Sequence, residues 1–381
     1  MKLSNKNKTN ETNDNSSLNI NTINNNIIKE DTKSNSSQKP QIYYYFYILR
    51  IISSFAVVLI HISADYYFLL NVRSYGFKIA FYYNGISRFG IPIFYMISGA
   101  LFLSRDIPLN IIYSKYIKGI VIHLTIWSFI YSISSIQLSI KNLNKILLKF
   151  LSSHYHLWFL FSITGLYLLV PFLREIVRKY ELYKIFLLQS FLFSVLFPSI
   201  IILLSLYSKN ISNRLKGFLN KFDIQSFFSQ TFYFMFGNYL NNYNKIQFYE
   251  ILFVYIFGFF GIFFTTFIPY NISFKKNIKF TLFSPNYLNV TFYSVSIFIL
   301  TKNIFINKKK IKLITIISKN TFGIYLVHPL IINLMKKLKI IESFKMKILF
   351  RIPLITSLIF ITSLLISILF KYIPLIGPYI F

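Results

Sequence analysis

Long apolar segments recur from residue 42 to residue 373 of this chain, and they number about ten at the length that spans a bilayer. Inside the hydrocarbon core, a backbone must satisfy its own hydrogen bonds, which only helices and closed barrels achieve. We therefore predict an all-α, polytopic helical bundle. Its predicted spans are 42–66, 79–103, 117–138, 156–173, 185–207, 224–242, 248–269, 281–301, 313–335 and 352–373.

The composition fits a multi-pass protein of the cell membrane. Charged residues make up 14% of the chain, against about 25% in a typical soluble domain. The formal charge is +30, but the lysines are spread over many short loops, which is typical of contact with anionic lipid rather than nucleic acid. The chain has no cysteine, which excludes disulfides and thiolate catalysis.

Residues 1–40 form a polar tail rich in Asn, Lys, Ser and Thr. The tail has no apolar core, so we predict that it is disordered and is not a signal peptide. Residues 41–381 would form one transmembrane domain. Because the loops between its spans are short, any active site must be built from the helices and these loops.

Arg50 and His61 lie in the first span. An arginine within a span costs about 2.5–3.5 kcal/mol on insertion scales, so its presence needs a reason. The separation of the two residues is close to three full helical turns, which places them on one face, about 16 Å apart along the axis. A neutral imidazole can take a proton from a hydroxyl near pH 7. The structural alternative is a buried histidine that bonds a neighbouring helix.

The second span contains Arg88, Pro92, Ser98 and Gly99. Pro92 favours a kink, and a structural role is also the simpler interpretation of Ser98 and Gly99, which allow close helix packing. Arg88 is a second intramembrane cation and needs an anionic partner. Glu250 is the main carboxylate candidate, and a bound anion such as a phosphate-bearing substrate is the alternative.

Two further groups of polar side chains occur, one at the start of the fourth predicted span and one within the ninth. His154 and His156 are two potential metal ligands without a third, and the neighbouring Trp158 also fits an interfacial aromatic belt. Tyr325 and His328 share a helix face. His328 is either a second proton-handling group or a structural hydrogen-bonding residue beside a proline.

Intramembrane His and Arg suit two classes of protein. The chain lacks G-x-S-x-G, P-loop and G-x-G-x-x-G motifs, so hydrolases of that type and nucleotide motors have no support. Group transfer to a hydroxyl is one class that remains. The other is a polytopic exporter or flippase of a glycan or lipid, which would use the same charges to bind its substrate.

Four motifs occur in order along the chain: Arg50-x10-His61, IPIF at residues 91–94 followed by Ser98-Gly99, HLWFL at residues 156–160, and GIYLVHP at residues 323–329. This ordered set resembles membrane-bound acyltransferase family 3, which includes surface-polysaccharide O-acetyltransferases. The resemblance extends from about Tyr43 to the C-terminus, and the chain looks most similar to the short members of the family, which lack an appended extracytoplasmic domain.

The resemblance implies transfer of an acyl group, usually acetyl, from cytosolic acetyl-CoA to a hydroxyl of an extracytoplasmic or lipid-linked glycan. It implies that both termini are cytoplasmic, which the even distribution of Lys and Arg does not decide. It assigns the catalytic role to His61, with Arg50 in support. Acyl-CoA would be a substrate, with no bound cofactor and no metal. Direct transfer and a transient acyl-imidazole on His61 both remain open.

The family often has an Arg-x-x-Arg pair before the third span, where this chain has Lys115 and Lys118. Lysine keeps the charge but loses the bidentate guanidinium fork, so these residues are either phosphate ligands or ordinary juxtamembrane anchors. Our candidates for donor or substrate binding are Arg88, Lys115, Lys118, Ser98, Trp158, Tyr325 and His328.

Overall fold

The protein is a bundle of helices, seen in a computed structural model that describes residues 43–134, 142–243 and 247–371. No strand occurs among these residues. Helices α4 and α7 each contain one π-helical turn. In chain order the helices are α1 Tyr44–Leu69, α2 Tyr75–Ile86, α3 Gly90–Leu103, α4 Leu109–Ser134, α5 Leu143–Ser152, α6 Trp158–Arg178, α7 Tyr180–Tyr207, α8 Lys209–Asn220, α9 Gln225–Asn242, α10 Phe248–Lys276, α11 Leu288–Phe305, α12 Lys312–Lys319, α13 Thr321–Lys337, α14 Ile340–Ser343 and α15 Ile348–Lys371.

Within the described residues, eight helical stretches are long and apolar enough to cross a membrane. The prediction of an all-α polytopic membrane bundle is therefore confirmed. The sixth predicted span forms α9, which is not among the eight. The ninth predicted span, 313–335, is divided between α12 and α13. The predicted disordered tail lies outside the described residues.

Helix α1 is the centre of the bundle. It packs against α2, α3, α11, α12, α13 and α15, and its side chains Leu49, Val58 and Ile62 are almost completely buried. A helix with neighbours on nearly every side can place polar residues only against protein or an internal cavity. This packing explains how α1 accommodates Arg50 and His61.

Helices α3 and α9 form the most extensive contact of the bundle. A Cβ atom at Gly99 would lie 1.6 Å from the Phe234 carbonyl oxygen, and a Cβ atom at Gly237 would lie 2.1 Å from the Met96 carbonyl oxygen. The two glycines therefore bring the two backbones into direct contact, as small residues do at membrane helix crossings. The structural role expected for Gly99 is confirmed.

A buried lysine closes the C-terminal end of α9. Lys302 of α11 is 2% exposed, and its ammonium donates to the carbonyl oxygens of Leu240, Asn241 and Tyr243 at 2.9, 2.8 and 2.8 Å. The last carbonyl groups of a helix lack intrahelical partners and carry partial negative charge. Lys302 thus satisfies all three of its donors without a carboxylate.

The break between α12 and α13 is made by Asn320, a buried residue. Its side-chain amide donates to the Ile316 carbonyl oxygen at 2.8 Å, and its side-chain oxygen accepts from the Ser367 hydroxyl of α15 at 3.2 Å. The Asn320 side chain therefore hydrogen-bonds a carbonyl oxygen at the end of α12 and also links this helix end to α15. An apolar pattern alone does not reveal such a break, because the residues on both sides remain apolar.

Candidate active site

A cavity of about 360 Å³ lies among α1, α3, α4, α6, α12 and α13. Both Arg50 and His61 line it, as their spacing on α1 predicts. The remaining lining residues are Val57, Ile91, Phe94, Ser98, Tyr116, Ile120, His156, Trp158, Phe159, Leu160, Ile163, Tyr167, Ser318, Lys319, Thr321, Phe322 and Tyr325. The cavity thus has apolar walls and polar groups in a few places, which is typical of small-molecule sites.

One part of the cavity, here called the Arg50 end, is cationic. The Arg50 guanidinium lies within electrostatic range of the Tyr167 hydroxyl and of Arg105, and the Ser98 side chain lies close to the Tyr167 hydroxyl. Lys319, the last residue of α12, also lines the cavity. Among the described residues, no carboxylate forms an ion pair with these cations. The Arg50 end therefore favours an anionic ligand.

Arg105 adds to the positive charge next to this end, in the loop between α3 and α4. Its side chain is half-buried. Burial lowers the pKa of Arg105, and the nearby Tyr116 hydroxyl opposes that shift. An arginine remains protonated under ordinary conditions, so Arg105 contributes a full charge close to Arg50.

The opposite part of the cavity, the His61 end, is formed by imidazole and phenol groups. The Tyr155 hydroxyl lies 3.4 Å from Nδ1 of His61, and the ring of His328 lies 5.1 Å from the His61 ring between centroids. His156 also lines the cavity. The Tyr325 hydroxyl donates to the backbone carbonyl oxygen of His156 at 2.5 Å. This bond fixes the turn before α6 against α13.

The two histidines of the His-x-His pair contact each other through their side chains. The Nδ1 atoms of His154 and His156 are 2.6 Å apart, and the His154 ring stacks on Tyr131 with centroids 4.2 Å apart. Within the described part of the chain, no three His, Cys, Asp or Glu side chains are arranged to hold a metal ion.

Arg88 lies outside the cavity lining. Two of its guanidinium nitrogens, Nε at 3.0 Å and Nη2, donate to the Asn84 side-chain oxygen, and its guanidinium lies 4.8 Å from the Phe283 ring centroid. The Asn84 amide in turn donates to the Ile60 carbonyl oxygen and the Ser63 hydroxyl of α1, both at 3.0 Å. Arg88 therefore supports α1 from behind, next to His61.

Glu250 is not the partner of an intramembrane arginine, so that prediction was wrong. Its carboxylate accepts from the Gln247 backbone amide at 2.7 Å and from the Tyr243 hydroxyl at 2.5 Å. Glu250 and Gln247 form a capping box at the start of α10. The carboxylate therefore satisfies free amides of a helix end, where negative charge is favourable.

The other candidates divide into three groups. Ser98, Trp158 and Tyr325 line the cavity. Lys115 and Lys118 are exposed on α4, on either side of the lining residue Tyr116, and the Lys115 ammonium lies 6.0 Å from the Tyr116 ring centroid.

His328 is buried behind the cavity, against His61. The sequence analysis did not select Tyr155, His156, Tyr167, Arg105 or Lys319 as site residues. Of these, only Tyr155 and His156 had a signal, since they lie in and beside the HLWFL motif.

The fold and the cavity together define an integral membrane protein whose polar centre lies among its spanning helices. A family model described as an acyltransferase domain, of acyltransferase family 3, matches residues 43–372, and the chain belongs to this family. The protein is therefore a membrane acyltransferase that transfers groups other than aminoacyl groups. No curated protein and no solved structure matches the chain.

Proposed function

We propose that the protein moves an acyl group, acetyl in the first instance, from cytosolic acyl-CoA to a hydroxyl of an extracytoplasmic or lipid-linked glycan. The observation that carries the proposal is the single cavity lined by Arg50 at one end and His61 at the other. Acyl-CoA combines an anionic nucleotide with a thin arm that ends in the thioester. The cationic end of the cavity suits the nucleotide, and the imidazole end suits the reacting carbonyl.

In this reaction, His61 takes the proton of the acceptor hydroxyl as its oxygen attacks the thioester carbonyl. The new C–O bond forms, the C–S bond breaks, and the thiolate receives the proton from His61 to leave as CoA. Direct transfer needs no other nucleophile, and the chain has no cysteine. A transient acyl-imidazole on His61 is the alternative route.

The donor path follows from the positions of the cations. With both termini cytoplasmic, Arg50 lies toward the cytoplasm, and His61 lies about 16 Å further into the membrane. The nucleotide would remain near Arg50, Arg105 and Lys319. Lys115 and Lys118 would lie further out, toward the cytoplasm. Only the arm would enter the narrow apolar part of the cavity. The acceptor would approach from the His61 end, where Tyr155 and Trp158 offer exposed rings for stacking against a sugar.

A CoA-release assay tests the proposal. Because the chain has no cysteine, a thiol-reactive dye reports only released CoA. The purified protein in lipid vesicles would be given acetyl-CoA and the glycolipid fraction of a strain that lacks the gene, and the product would be weighed by mass spectrometry. We expect CoA release that depends on acceptor, with a mass gain of one acetyl group. Acceptor transport without CoA release would contradict the proposal.

A further inference from the structure

His328 uses only one of its two ring nitrogens in the described structure. Its Nδ1 lies 3.1 Å from the Ile324 carbonyl oxygen. A carbonyl oxygen can only accept, so in the neutral ring Nδ1 carries the proton and Nε2 presents a lone pair. The residue is 0% exposed, and its Nε2 has no hydrogen-bond partner among the described residues. A buried acceptor of this kind needs an explanation.

The His61 ring is a direct neighbour of the His328 ring. The two centroids are 5.1 Å apart with planes inclined by 40°, a separation from which a small rotation brings two ring nitrogens to hydrogen-bond distance. The His156 ring is further away, at 5.8 Å and nearly perpendicular. Nδ1 of His61 faces the Tyr155 hydroxyl, which leaves Nε2 of His61 for His328.

These residues can be joined in one chain of alternating donors and acceptors. The Tyr155 hydroxyl lies 3.4 Å from Nδ1 of His61, the His61 ring packs against that of His328, and the Nδ1–H of His328 donates to the Ile324 carbonyl oxygen. The fixed carbonyl selects the tautomer of His328. A hydrogen bond from the Nε2–H of His61 to Nε2 of His328 would in turn leave Nδ1 of His61 as the basic nitrogen.

We propose that His328 is a positioning residue for His61. It accepts the Nε2–H of His61, keeps Nδ1 available for the acceptor hydroxyl, and stabilises the imidazolium that forms when that proton arrives. His328 stays neutral throughout, because the proton on His61 passes to the departing thiolate. This inference rests on the proposed role of His61 as the base. It differs from a structural role in requiring an acceptor at the position of Nε2.

Two substitutions of His328 test the contribution of each ring nitrogen separately. An asparagine amide can replace the donor Nδ1–H and keep the bond to Ile324, whereas a glutamine side chain reaches the position of Nε2. We expect His328→Asn to lower kcat about 10- to 100-fold, as loss of an orienting partner does elsewhere, with the KM for acetyl-CoA unchanged. His328→Gln should recover much of that loss. A purely structural His328 predicts no such recovery.

His123 provides a matched control. Its Nδ1 lies 2.5 Å from the carbonyl oxygen of Gly119, also four residues earlier, and its Nε2 is likewise buried without a partner among the described residues. Its ring contacts Phe322 instead of His61. His123→Asn should therefore leave kcat unchanged, and an equal fall in both asparagine variants would overturn the inference.

Two further measurements keep the inference testable if His328→Asn does not fold. Combining His328→Gln with His61→Ala should leave the residual rate of His61→Ala unchanged, because the glutamine then has no imidazole to orient. Selective ¹⁵N-histidine spectra of the wild type should show His61 with its proton on Nε2, and a proton on Nδ1 would overturn the inference. If His61→Ala is itself fully active, the proposed function fails. If His61→Ala is inactive and folded His328→Asn has wild-type kcat, only this inference fails.

Discussion

The two ends of the cavity differ in charge. At the Arg50 end, the Arg50 guanidinium lines the space and Arg105 lies near it, and neither has a carboxylate partner among the described residues. At the His61 end, neutral rings contact one another, and the charged pair nearby, Asp65 with Lys336, is already closed at 2.7 Å. A site with unpaired cations selects an anion by attraction. A site of imidazoles and phenols can exchange protons with a neutral hydroxyl. Under the proposed function, this contrast would separate donor binding from chemistry within one cavity.

Removing His61 should have the largest effect on activity. Because a positioned general base contributes about 10²- to 10⁴-fold, we expect His61→Ala to lose at least that much in kcat, while donor binding at the other end is retained. Rates and acetyl-CoA affinity would be measured in vesicles after insertion is verified. His123→Ala is the control, and wild-type turnover by an inserted His61→Ala protein would remove the basis of the comparison.

Replacing Arg50 should act on the opposite end. Arg50→Lys keeps the charge and loses the planar fork, and the loss of a hydrogen bond to a charged group, about 1.5–3 kcal/mol, corresponds to about 10- to 100-fold in kcat/KM. The effect should appear mainly in the KM for the acyl donor. Arg88→Lys, at an arginine outside the cavity lining, should raise that KM less. Normal kinetics for Arg50→Lys would mean that its side chain only extends toward an interface.

Gly99→Ala tests whether the close backbone contact between α3 and α9 positions the part of α3 that lines the cavity. The added methyl would meet the Phe234 carbonyl oxygen and force α3 away from α9. Overpacking of this kind costs about 1–3 kcal/mol, so we expect a lower Tm in detergent. A moderate rise in the donor KM should accompany it, because Ser98 moves with α3. Gly165→Ala is the matched control, since no atom lies within 4 Å of its added Cβ. Equal Tm values for the two variants would contradict the close crossing.

The smallest effect should come from the exposed lysines outside the Arg50 end. We expect Lys115→Ala combined with Lys118→Ala to raise the donor KM about two- to threefold at low ionic strength, with less difference at high salt because exposed charges are screened. The acceptor KM should not change. Lys209→Ala with Lys216→Ala, two exposed positions on α8, controls for net charge. A donor KM equal to that of the control would make Lys115 and Lys118 ordinary membrane anchors.

The sequence predicts the parts of this molecule that depend on local periodicity. Apolar length gave the helices, and the spacing of Arg50 and His61 placed both on one cavity, because a helix repeats regularly over eleven residues. Helix ends set by side-chain bonds were harder to place. Asn320 divides one predicted span in two, and Glu250 has the ordinary role of a cap. Both depend on a few side-chain hydrogen bonds that composition does not reveal.

The contacts that complete the site are long-range and therefore escaped prediction. Tyr167 faces Arg50 from α6, more than a hundred residues further along the chain, and nothing in its apolar surroundings distinguishes it from other span tyrosines. Arg105 looks like an ordinary loop cation and Lys319 like an ordinary helix-end cation. Only the fold places Arg105 near Arg50 and Lys319 in the cavity lining. Arg88 shows the converse: an intramembrane arginine need not line a cavity, because a neighbouring amide oxygen can accept from its guanidinium.

The glycine crossing of α3 and α9 also has a mechanical consequence. Where two backbones touch, there is no side chain between them to change rotamer, so the crossing cannot slide or tilt without breaking contact. Any movement that admits a donor or releases a product must therefore come from the other walls. Helix α4 meets the cavity through Tyr116 and α13 through Phe322, side chains that can change rotamer without breaking a backbone contact. The enzyme therefore has one wall that is a fixed reference and others in which side chains can move.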